Sequence, residues 1–301
     1  MPLPFVTIGV CVRNCENTIR STIESISKQD YPHELMEIIF VDDGSEDRTL
    51  FIINNYVSKI DMKVKVFHHK WKGLGASRNV VVKNAKGKYI IWVDGDMILP
   101  SNHVRKQVEF MEKNPRVGIA KARYGILPKG NLIEVLENIP FVLYDLKNGS
   151  LDSKLPGTGG AIFRTEAIRQ VSGFDSKLKG TGEDQDAAFR VRKKGWLIKR
   201  SSAIFYERRP KSWGEVWKKW FWYGLGDFDL YLKNRNIFSL FGMNPLAGLL
   251  RGLLHILPAY KLVHRKFVFL LPFHYVLQMA AWCFGFISGN IKRMLQTVES
   301  C

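Results

Sequence analysis

The sequence predicts an α/β protein with a mostly parallel sheet flanked by helices, followed by a helical C-terminal segment that associates with a membrane. Two observations predict this fold class. Short apolar runs alternate with segments of helical periodicity through the first 125 residues, and this alternation is typical of parallel sheets covered on both faces. From about residue 210 the pattern becomes helical, basic and aromatic, and it leads into long apolar stretches.

The apolar runs give the predicted strands, and the periodic segments between them give the predicted helices. Strands are predicted at 5–12, 37–41, 63–68, 88–93, 117–122 and 161–163. Helices are predicted near 16–29, 46–59, 75–86, 101–113 and 184–194. In the first helix, for example, Ile19, Ile23 and Ile26 recur at helical spacing. Residues 126–160 contain many glycines and prolines, so we expect looser structure there.

Two acidic clusters stand at the ends of predicted strands. Asp42 and Asp43 follow the second run, and Asp94 and Asp96 follow the fourth. Ligands of open α/β sheets bind where the strands end, so we expect both clusters to face one crevice. Carboxylates placed there are unfavourable unless a cation or a hydrogen-bond donor pairs with them. A divalent metal ion that carries a diphosphate would meet both requirements.

The net charge of +17 belongs almost entirely to the C-terminal third, where residues 190–301 hold 19 Lys/Arg against 5 Asp/Glu. Nucleic acid or an anionic membrane could attract such a region. Tryptophans from Trp213 to Trp222 lie among these lysines, a composition typical of a bilayer interface. Nucleic-acid binding would not explain the apolar stretches that follow. We therefore predict a membrane partner and no nucleic-acid partner.

Two apolar segments near the C-terminus are candidates for membrane insertion. Residues 267–291 carry no charged side chain and are long enough to cross a hydrocarbon core of about 30 Å, although a buried hairpin helix is an alternative. Residues 245–262 place leucines on one face and Arg251 and His255 on the other, which favours an interfacial or re-entrant helix. If both crossed, the basic link 261–266 would lie outside, against the positive-inside tendency. We expect at most one full crossing.

The cysteines and the N-terminus favour a main domain on the cytoplasmic face of the membrane. Cys11, Cys15, Cys283 and Cys301 show neither metal-ligand nor disulfide-framework spacing. The chain enters its first predicted strand without the layout of a signal peptide. We therefore expect any membrane attachment to come from the C-terminal end.

Five features follow one another in an order that a chance motif would not give. They are Arg13-Asn14, Asp42-Asp43-Gly-Ser, the segment 73–79 with Arg78, Asp94-Gly-Asp96 and Gly182-Glu183-Asp184. This ordered set resembles family 2 of the inverting glycosyltransferases, which have the GT-A fold and use nucleotide-sugar donors. The resemblance extends from about Pro4 to about Tyr223. It implies a catalytic domain at 1–210. The charge and hydropathy pattern described above predicts a basic, aromatic interfacial helix at 211–236 and apolar membrane-associated helices at 237–301.

The resemblance also implies a donor site. Asp42 or Asp43 would accept hydrogen bonds from the nucleobase; the alternative is an Asx-turn with a helix cap, and each acid could take one of the two roles. Arg78 would contact the nucleotide and its diphosphate, unless it is a solvated helix residue. Asp94 and Asp96 would hold Mn²⁺ or Mg²⁺ against the diphosphate, because hard divalent ions prefer carboxylate and phosphate oxygens.

On the acceptor side, the resemblance makes Asp184 the general base that takes the proton from an attacking hydroxyl. Glu183 would orient the acceptor or the loop, with helix capping as the alternative for both acids. Thr158, Gly159 and Gly160 would form a loop beneath the sugar. This glycine-rich segment lacks the third glycine of a dinucleotide-binding loop, which excludes a Rossmann dehydrogenase.

Arg208 and Arg209 stand just before the basic, aromatic segment that begins near residue 210. Arginine forks suit phosphate oxygens, so these two residues could clamp the donor diphosphate or an acceptor phosphate, with lipid headgroups as an alternative partner. Processive members of the family carry Q-x-x-R-W near this point, and its absence here argues against a polysaccharide synthase.

The function predicted from these residues is inverting transfer of one sugar from a nucleotide-diphosphate donor, with UDP favoured, to a hydroxyl of a lipid-linked or cell-surface glycan. One alternative is a polyprenyl-phosphate sugar synthase, whose phosphate acceptor needs no base. The other is a membrane adaptor that keeps the fold without catalysis. The acids at 183 and 184 oppose the first alternative, and the intact acidic pairs oppose the second.

Overall fold

Eight strands in the described residues form one sheet, in the order β3-β2-β1-β4-β7-β6-β8-β5. The structure is a computed structural model, and it describes residues 2–127, 130–147, 155–235, 237 and 240–299. The strands are β1 Val6–Val12, β2 Met36–Asp43, β3 Lys63–His69, β4 Tyr89–Trp92, β5 Met97–Ile98, β6 Val117–Tyr124, β7 Ala161–Arg164 and β8 Leu197–Glu207. Strands β1, β2, β4 and β7 are buried along their whole length, as their continuous apolar runs predicted.

Besides α5, six helices lie between these strands along the described part of the chain. They are α1 Ile19–Ser27, α2 Thr49–Val57, α3 Leu74–Asn84, α4 His103–Lys113, α6 Thr165–Arg169 and α7 Glu183–Lys193, with α5 described below. The side chains Ile19, Ile23 and Ile26 of α1 are fully buried in the core with Ile8 and Phe40. The predicted strands and helices of the first 125 residues are therefore confirmed, with ends that differ by a few residues.

The sheet is mixed rather than mostly parallel. Strands β3, β2, β1 and β4 run parallel, and β6 runs parallel to β8. Strand β7 lies antiparallel between β4 and β6, and the short β5 lies antiparallel to β8. The carboxyl ends of β1, β2 and β4 consequently lie at one edge of the sheet, where the acidic clusters begin.

The described residues divide into two compact units. The first is drawn from Met1–Gly125, Gly149–Lys179 and Glu183–Glu207, and it contains the whole sheet. The second is drawn from Ile126–Asn148, Gly180–Gly182 and Arg208–Cys301. The predicted boundaries at 210 and 236 stay predictions, and Cys301 lies outside the described residues.

A helix, α5 Leu132–Lys147, lies in the second unit within the stretch that was predicted to be loose. Asn131 Oδ1 accepts a hydrogen bond from the Glu134 N–H at 2.9 Å, and Glu134 Oε2 accepts one from the Asn131 N–H at 2.9 Å. This reciprocal pair is a capping box, which the sequence shows as N-x-x-E. The prediction of looser structure was based on the glycines and prolines of 126–160 and did not use this capping pair; Pro140 lies inside the helix.

The second unit also contains three long helices in the described residues: α8 Trp213–Lys233, α9 Pro245–Val263 and α10 Leu271–Glu299. The segments Pro245–Val263 and Lys266–Ile291 are long and apolar enough to cross a membrane, judged by length and composition alone. The most apolar 18 residues of Pro245–Val263 are 17% buried within the protein, and those of Lys266–Ile291 are 44% buried.

Candidate active site

Asp42 and Asp43 end strand β2, and their carboxylates accept hydrogen bonds from two different loops. Asp42 is fully buried, and it accepts hydrogen bonds from the backbone and hydroxyl of Ser45 and lies 2.7 Å from Nδ1 of His68. Asp43 accepts hydrogen bonds from the N–H groups of Lys72 and Gly73, at 2.7 and 3.0 Å. The turn interpretation is therefore confirmed for Asp42, whereas Asp43 holds the junction of β3 and α3. The nucleobase contact stays a prediction.

Gly73 opens helix α3 with φ of +92°, a conformation that an L side chain rarely adopts. The two hydrogen bonds to Asp43 hold this junction of strand and helix together. Arg78 lies one turn into the helix that begins here, and it is only 4% exposed. The alternative in which Arg78 is a solvated surface residue is thus wrong.

Arg78 joins two of the acidic groups that the sequence predicted to converge. Its guanidinium donates to Glu183 Oε1 in a very short contact and lies 3.8 Å from Asp94 Oδ1. The charges of Glu183, Asp94 and Asp184, in that order, act against burial to raise the pKa of Arg78. Asp94 and Glu183, which stand 89 positions apart in the sequence, therefore share one buried cation.

Asp94 follows β4 and lies against the glycine loop, which is formed by residues 157–160. Its side chain is 40% exposed, and a Cβ placed on Gly159 would come within 2.5 Å of Asp94 Oδ2. Burial raises the pKa of Asp94, partly offset by the charge of Arg78. The absence of a side chain at position 159 thus leaves room for a carboxylate that the protein only partly neutralises.

Asp96 lies at the same turn, in the neighbourhood of Cys15. A Cβ on Gly95, between the two acids, would come within 2.9 Å of Cys15 Sγ. Burial, and after it the negative charge of Asp96, raises the pKa of the Cys15 thiol to about 12. This cysteine therefore stays a neutral thiol beside the carboxylates, and it is not an activated nucleophile.

Asp184 lies in the first turn of α7, and its carboxylate also contacts the glycine loop. Its Oδ2 accepts a hydrogen bond from the Thr158 N–H at 3.3 Å, and its Oδ1 accepts one from the Gln185 N–H at 2.7 Å. A Cβ on Gly157 would come within 3.0 Å of the same Oδ2. Asp94 and Asp184 thus border one glycine loop, at Gly159 and at Gly157 and Thr158 respectively.

Glu183 is buried beside Asp184, with 2% of its surface exposed. Burial raises the pKa of Glu183, and the charge of Asp184 adds to this, while Arg78 acts in the opposite direction. One oxygen of Glu183 accepts from Arg78, whereas Oε2 has no hydrogen-bond partner among the described residues. Since Glu183 is committed to Arg78, Asp184 is the acid of this pair with oxygens turned to the loop.

Lys121 was missed by the sequence analysis, although it lies in the centre of the site. It is 5% exposed in strand β6, and its ammonium donates to the carbonyl oxygens of Gly157, at 3.3 Å, and of Gly159. The positive charge of Lys121 also acts on Asp94. The available signal was a single lysine within the otherwise apolar start of Val117–Tyr124, because a lysine is rarely buried without partners.

The loop residues Thr158 and Gly160 complete this part of the site. Gly160 has φ of +67°, and a Cβ there would overlap the ring of Phe205. The hydroxyl of Thr158 is buried without a hydrogen-bond partner among the described residues. A buried hydroxyl of this kind is unfavourable unless a ligand or water pairs with it.

Arg208 and Arg209 belong to the second unit, and the site described above lies in the first. Arg209 is 5% exposed, and its guanidinium lies 4.3 Å from the centre of the Phe141 ring. Among the residues of its own unit, its charge acts on Glu137 of helix α5. The role of both arginines in binding phosphate stays a prediction.

The donor set at Asp94 and Asp96 fits a divalent metal whose other ligands come from a substrate. In the part of the chain that the structure describes, no three His, Cys, Asp or Glu side chains come together as a metal site. Two carboxylates from one turn supply only part of the coordination of a hard divalent ion, which phosphate oxygens of a substrate would complete. They do not suit a closed structural site, which would supply all its ligands from protein.

Comparison with known proteins identifies the family. Residues 7–172 match the family described as Glycosyl transferase family 2. The putative glycosyltransferase EpsE of Bacillus subtilis is 30% identical over 221 residues, which cover 69% of this chain and 74% of EpsE. An uncharacterized glycosyltransferase of Haemophilus influenzae is 36% identical over 38% of this chain, and the match spans only 45% of that relative.

Two solved structures have the same fold. The mannosyltransferase PcManGT from Pyrobaculum calidifontis, solved in complex with GDP-Man and Mn²⁺, aligns with a TM-score of 0.68 and 18% identity over 96% of this chain and 88% of its own. Residues 1–349 of TarS from Staphylococcus aureus, in complex with UDP, align with a TM-score of 0.55 and 19% identity, covering 96% and 92% of the two chains. These similarities confirm the predicted GT-A fold. Since the family match covers more than half of the sequence, the chain belongs to glycosyl transferase family 2.

Proposed function

We propose that the protein transfers a single sugar from a nucleotide-diphosphate donor to a hydroxyl group of a glycan acceptor, with inversion at the anomeric carbon. The observation that carries the proposal is the arrangement around Arg78. One buried guanidinium contacts Asp94 and Glu183, and Asp184 borders the same loop as Asp94. A single displacement needs a site for the leaving group and a base for the incoming hydroxyl close together, and this arrangement supplies candidates for both.

The donor would bind at the ends of β2 and β4. Asp42 or Asp43 would accept hydrogen bonds from the base in addition to those that they accept within the protein. Arg78 would lie towards the diphosphate. Asp94 and Asp96 would hold Mn²⁺ or Mg²⁺, which when bound stabilises negative charge on the departing diphosphate. A UDP-sugar is favoured as the donor. PcManGT, bound to GDP-Man and Mn²⁺, and TarS, bound to UDP, provide two donor nucleotides to compare.

The acceptor hydroxyl would bind beside the glycine loop, within reach of Asp184. As the hydroxyl oxygen attacks the anomeric carbon and the bond to the diphosphate breaks, Asp184 takes the hydroxyl proton. Lys121 would hold the loop through the carbonyls of Gly157 and Gly159, so that Thr158 faces the sugar. Glu183 would serve as a positioning residue, because its carboxylate already binds Arg78.

The acceptor is proposed to be a lipid-linked or cell-surface glycan, with the protein associated with the cytoplasmic face of a membrane. Two helices of the second unit are long and apolar enough to enter a bilayer, and the C-terminal third carries most of the positive charge. Arg208 and Arg209 would contact phosphate groups there, either of the donor or of a lipid carrier. TarS is named as a poly(ribitol-phosphate) β-N-acetylglucosaminyltransferase, so an anionic glycan is one acceptor to test.

The test is turnover of a panel of UDP-, GDP- and dTDP-sugars with and without Mn²⁺, in wild type and in Asp184→Asn. With a hydroxyl acceptor, the variant should lose about 10³-fold in rate, since general-base catalysis contributes about 10²–10⁴-fold. The exposed Asp61 gives the control, and Asp61→Asn should turn over like wild type. A polyprenyl phosphate that is glycosylated equally well by wild type and by Asp184→Asn would instead support the synthase. No turnover of any donor would support the adaptor.

A further inference from the structure

Helix α10 contains the longest uncharged segment of the chain, yet it is packed along its length against a charged helix of the same unit. Ring contacts join Trp213 to Phe273 near the start of both helices, and Phe228 to Phe286 further along. Between them, a Cβ on Gly285 would overlap the backbone of Phe221. Glycine at this crossing therefore lets the two backbones approach closely.

The packing fixes α8 beside α10 over the distance that a membrane crossing requires. The stretch of α8 from 213 to 228 is about 23 Å long, most of a hydrocarbon core of about 30 Å. Lys218 lies within this stretch and Asp229 directly after it, and both are exposed. Asp227, which also lies within the stretch, accepts a hydrogen bond from Trp282 Nε1 of α10 at 2.8 Å. If α10 crossed the bilayer, α8 would carry these charges into it, which is strongly unfavourable.

Helix α9 presents a different surface. Its inner face is tight against α10, since a Cβ on Gly248 would come within 2.8 Å of the Tyr275 carbonyl oxygen. On that side His255 Nδ1 lies 2.7 Å from the Tyr275 hydroxyl, and Arg251 donates to the Gly242 carbonyl at 3.1 Å. Arg251 and His255 of α9 are thus engaged within the protein, and none of these contacts involves its leucines.

The opposite face of α9 is a continuous row of exposed leucines. Their exposed fractions range from 38% to 74%, and they recur at helical spacing at Leu246, Leu249, Leu250, Leu253, Leu254 and Leu257. A row of this size on a protein surface indicates a binding surface. Exposed basic residues follow at the end of the helix and in the link beyond it, at Lys261, Arg265 and Lys266. Leucines beside exposed lysine and arginine match the acyl chains and anionic headgroups of one leaflet.

We propose that the second unit binds the membrane monotopically: α9 lies in the plane of one anionic leaflet with its leucine row among the acyl chains, and α10 does not cross the bilayer. The occupant of the leucine row is therefore lipid. The proposal concerns the way in which the protein attaches, and it does not depend on the transferase reaction.

The first test is binding of the purified full-length chain, without detergent, to preformed vesicles of phosphatidylcholine with or without phosphatidylglycerol. Wild type should bind the anionic vesicles more tightly. Leu254→Ser with Leu257→Ser should weaken binding by roughly 30-fold or more, because two exposed leucines no longer enter the acyl region. Leu146, which is 63% exposed on helix α5 of the same unit, gives the control, and Leu146→Ser should bind within about 3-fold of wild type. Unchanged binding of the double variant would overturn the proposal.

The second test is topology, and it stays decisive if the leucine variant folds poorly. Arg265→Cys and Asn290→Cys place labels at exposed positions before and near the end of the apolar part of α10, in a chain whose native cysteines are serine. On vesicle-bound protein, a membrane-impermeant maleimide added outside should modify both positions to the same extent. Modification of one position with protection of the other until detergent is added would show that α10 crosses, and would overturn the proposal.

Discussion

Replacing Gly159 by alanine should abolish most of the proposed activity while leaving the fold intact. The new Cβ would lie 2.5 Å from Asp94 Oδ2, whereas ordinary contacts begin at 3.4 Å, so the carboxylate must move by about 1 Å. It would also meet the methyl end of Met97, which is flexible and can move aside. Since Gly159 does not have a positive φ, alanine adds no backbone strain.

The magnitude follows from the displacement. A misplacement of about 1 Å in a catalytic constellation can reduce the rate about 10²-fold, and overpacking of a filled site destabilises by about 1–3 kcal/mol. We therefore expect turnover of the preferred nucleotide sugar to fall by about 10²-fold, together with a weaker dependence on Mn²⁺. Steady-state transfer measured across a Mn²⁺ titration, with denaturant unfolding of the same samples, separates the two effects.

The matched control is Gly214→Ala. Gly214 lies in the first turn of α8, where a Cβ would meet nothing within 4 Å, so the same substitution should leave activity unchanged and increase stability by up to about 1 kcal/mol. If Gly159→Ala stays within 3-fold of wild type while it remains folded, Asp94 does not act where we place it.

Three further predictions test other parts of the account. Arg78→Met should lower the free energy of unfolding by about 3–5 kcal/mol in urea, because it leaves the buried carboxylate of Glu183 without its cation; a change below about 1 kcal/mol would show that Arg78 is not its partner. Lys121→Met should lower turnover without changing the affinity for the nucleotide, as measured by calorimetry, because Lys121 holds the acceptor-side loop; an equal loss of nucleotide affinity would contradict that role. Burial lowers the pKa of His103 from 6.5 to about 4. The stability that the neutral ring confers is therefore present above pH 6.5, and about 3 kcal/mol of it is lost as the pH falls towards 4. Urea unfolding of wild type and His103→Gln at pH 7 and pH 4 checks this, and an equal loss in both proteins would contradict it.

The prediction for His103 also has a geometric basis. The side chain is fully buried, Nδ1 lies 2.7 Å from the Ile204 carbonyl oxygen, and Nε2 has no hydrogen-bond partner among the described residues. A proton added at Nε2 would be buried without an acceptor, which is unfavourable. The neutral ring with its proton on Nδ1 is the form that this environment stabilises.

The sequence was a good guide to the elements and to the strand ends. Buried parallel strands are continuous apolar runs, and the acids that follow them, such as Asp42 and Asp94, mark where each strand stops. The partners of those acids were not predictable in the same way. His68 reaches Asp42 because β3 pairs with β2 in a particular register, and register is set by packing across the sheet.

Elements whose local signals conflict were harder to predict. Helix α5 has a capping box at its start, but it contains Pro140 and is surrounded by glycines, so the local signals point both ways. Strand β7 looks like any buried strand in the sequence, and its antiparallel direction follows from long-range pairing. Lys121 is buried because the loop carbonyls lie above it, a contact that spans more than 30 residues.

The central claim is that the acids at the end of β4 and at the start of α7 serve one ion, one diphosphate and one acceptor. Crystals grown with Mn²⁺ and a nucleotide sugar test it most directly, through the anomalous scattering of manganese. We predict one manganese peak about 2.1 Å from a carboxylate oxygen of Asp94 or Asp96, with the anomeric carbon of the donor turned towards Asp184. A manganese ion bound elsewhere, or a donor whose anomeric carbon is turned away from Asp184, would contradict the account.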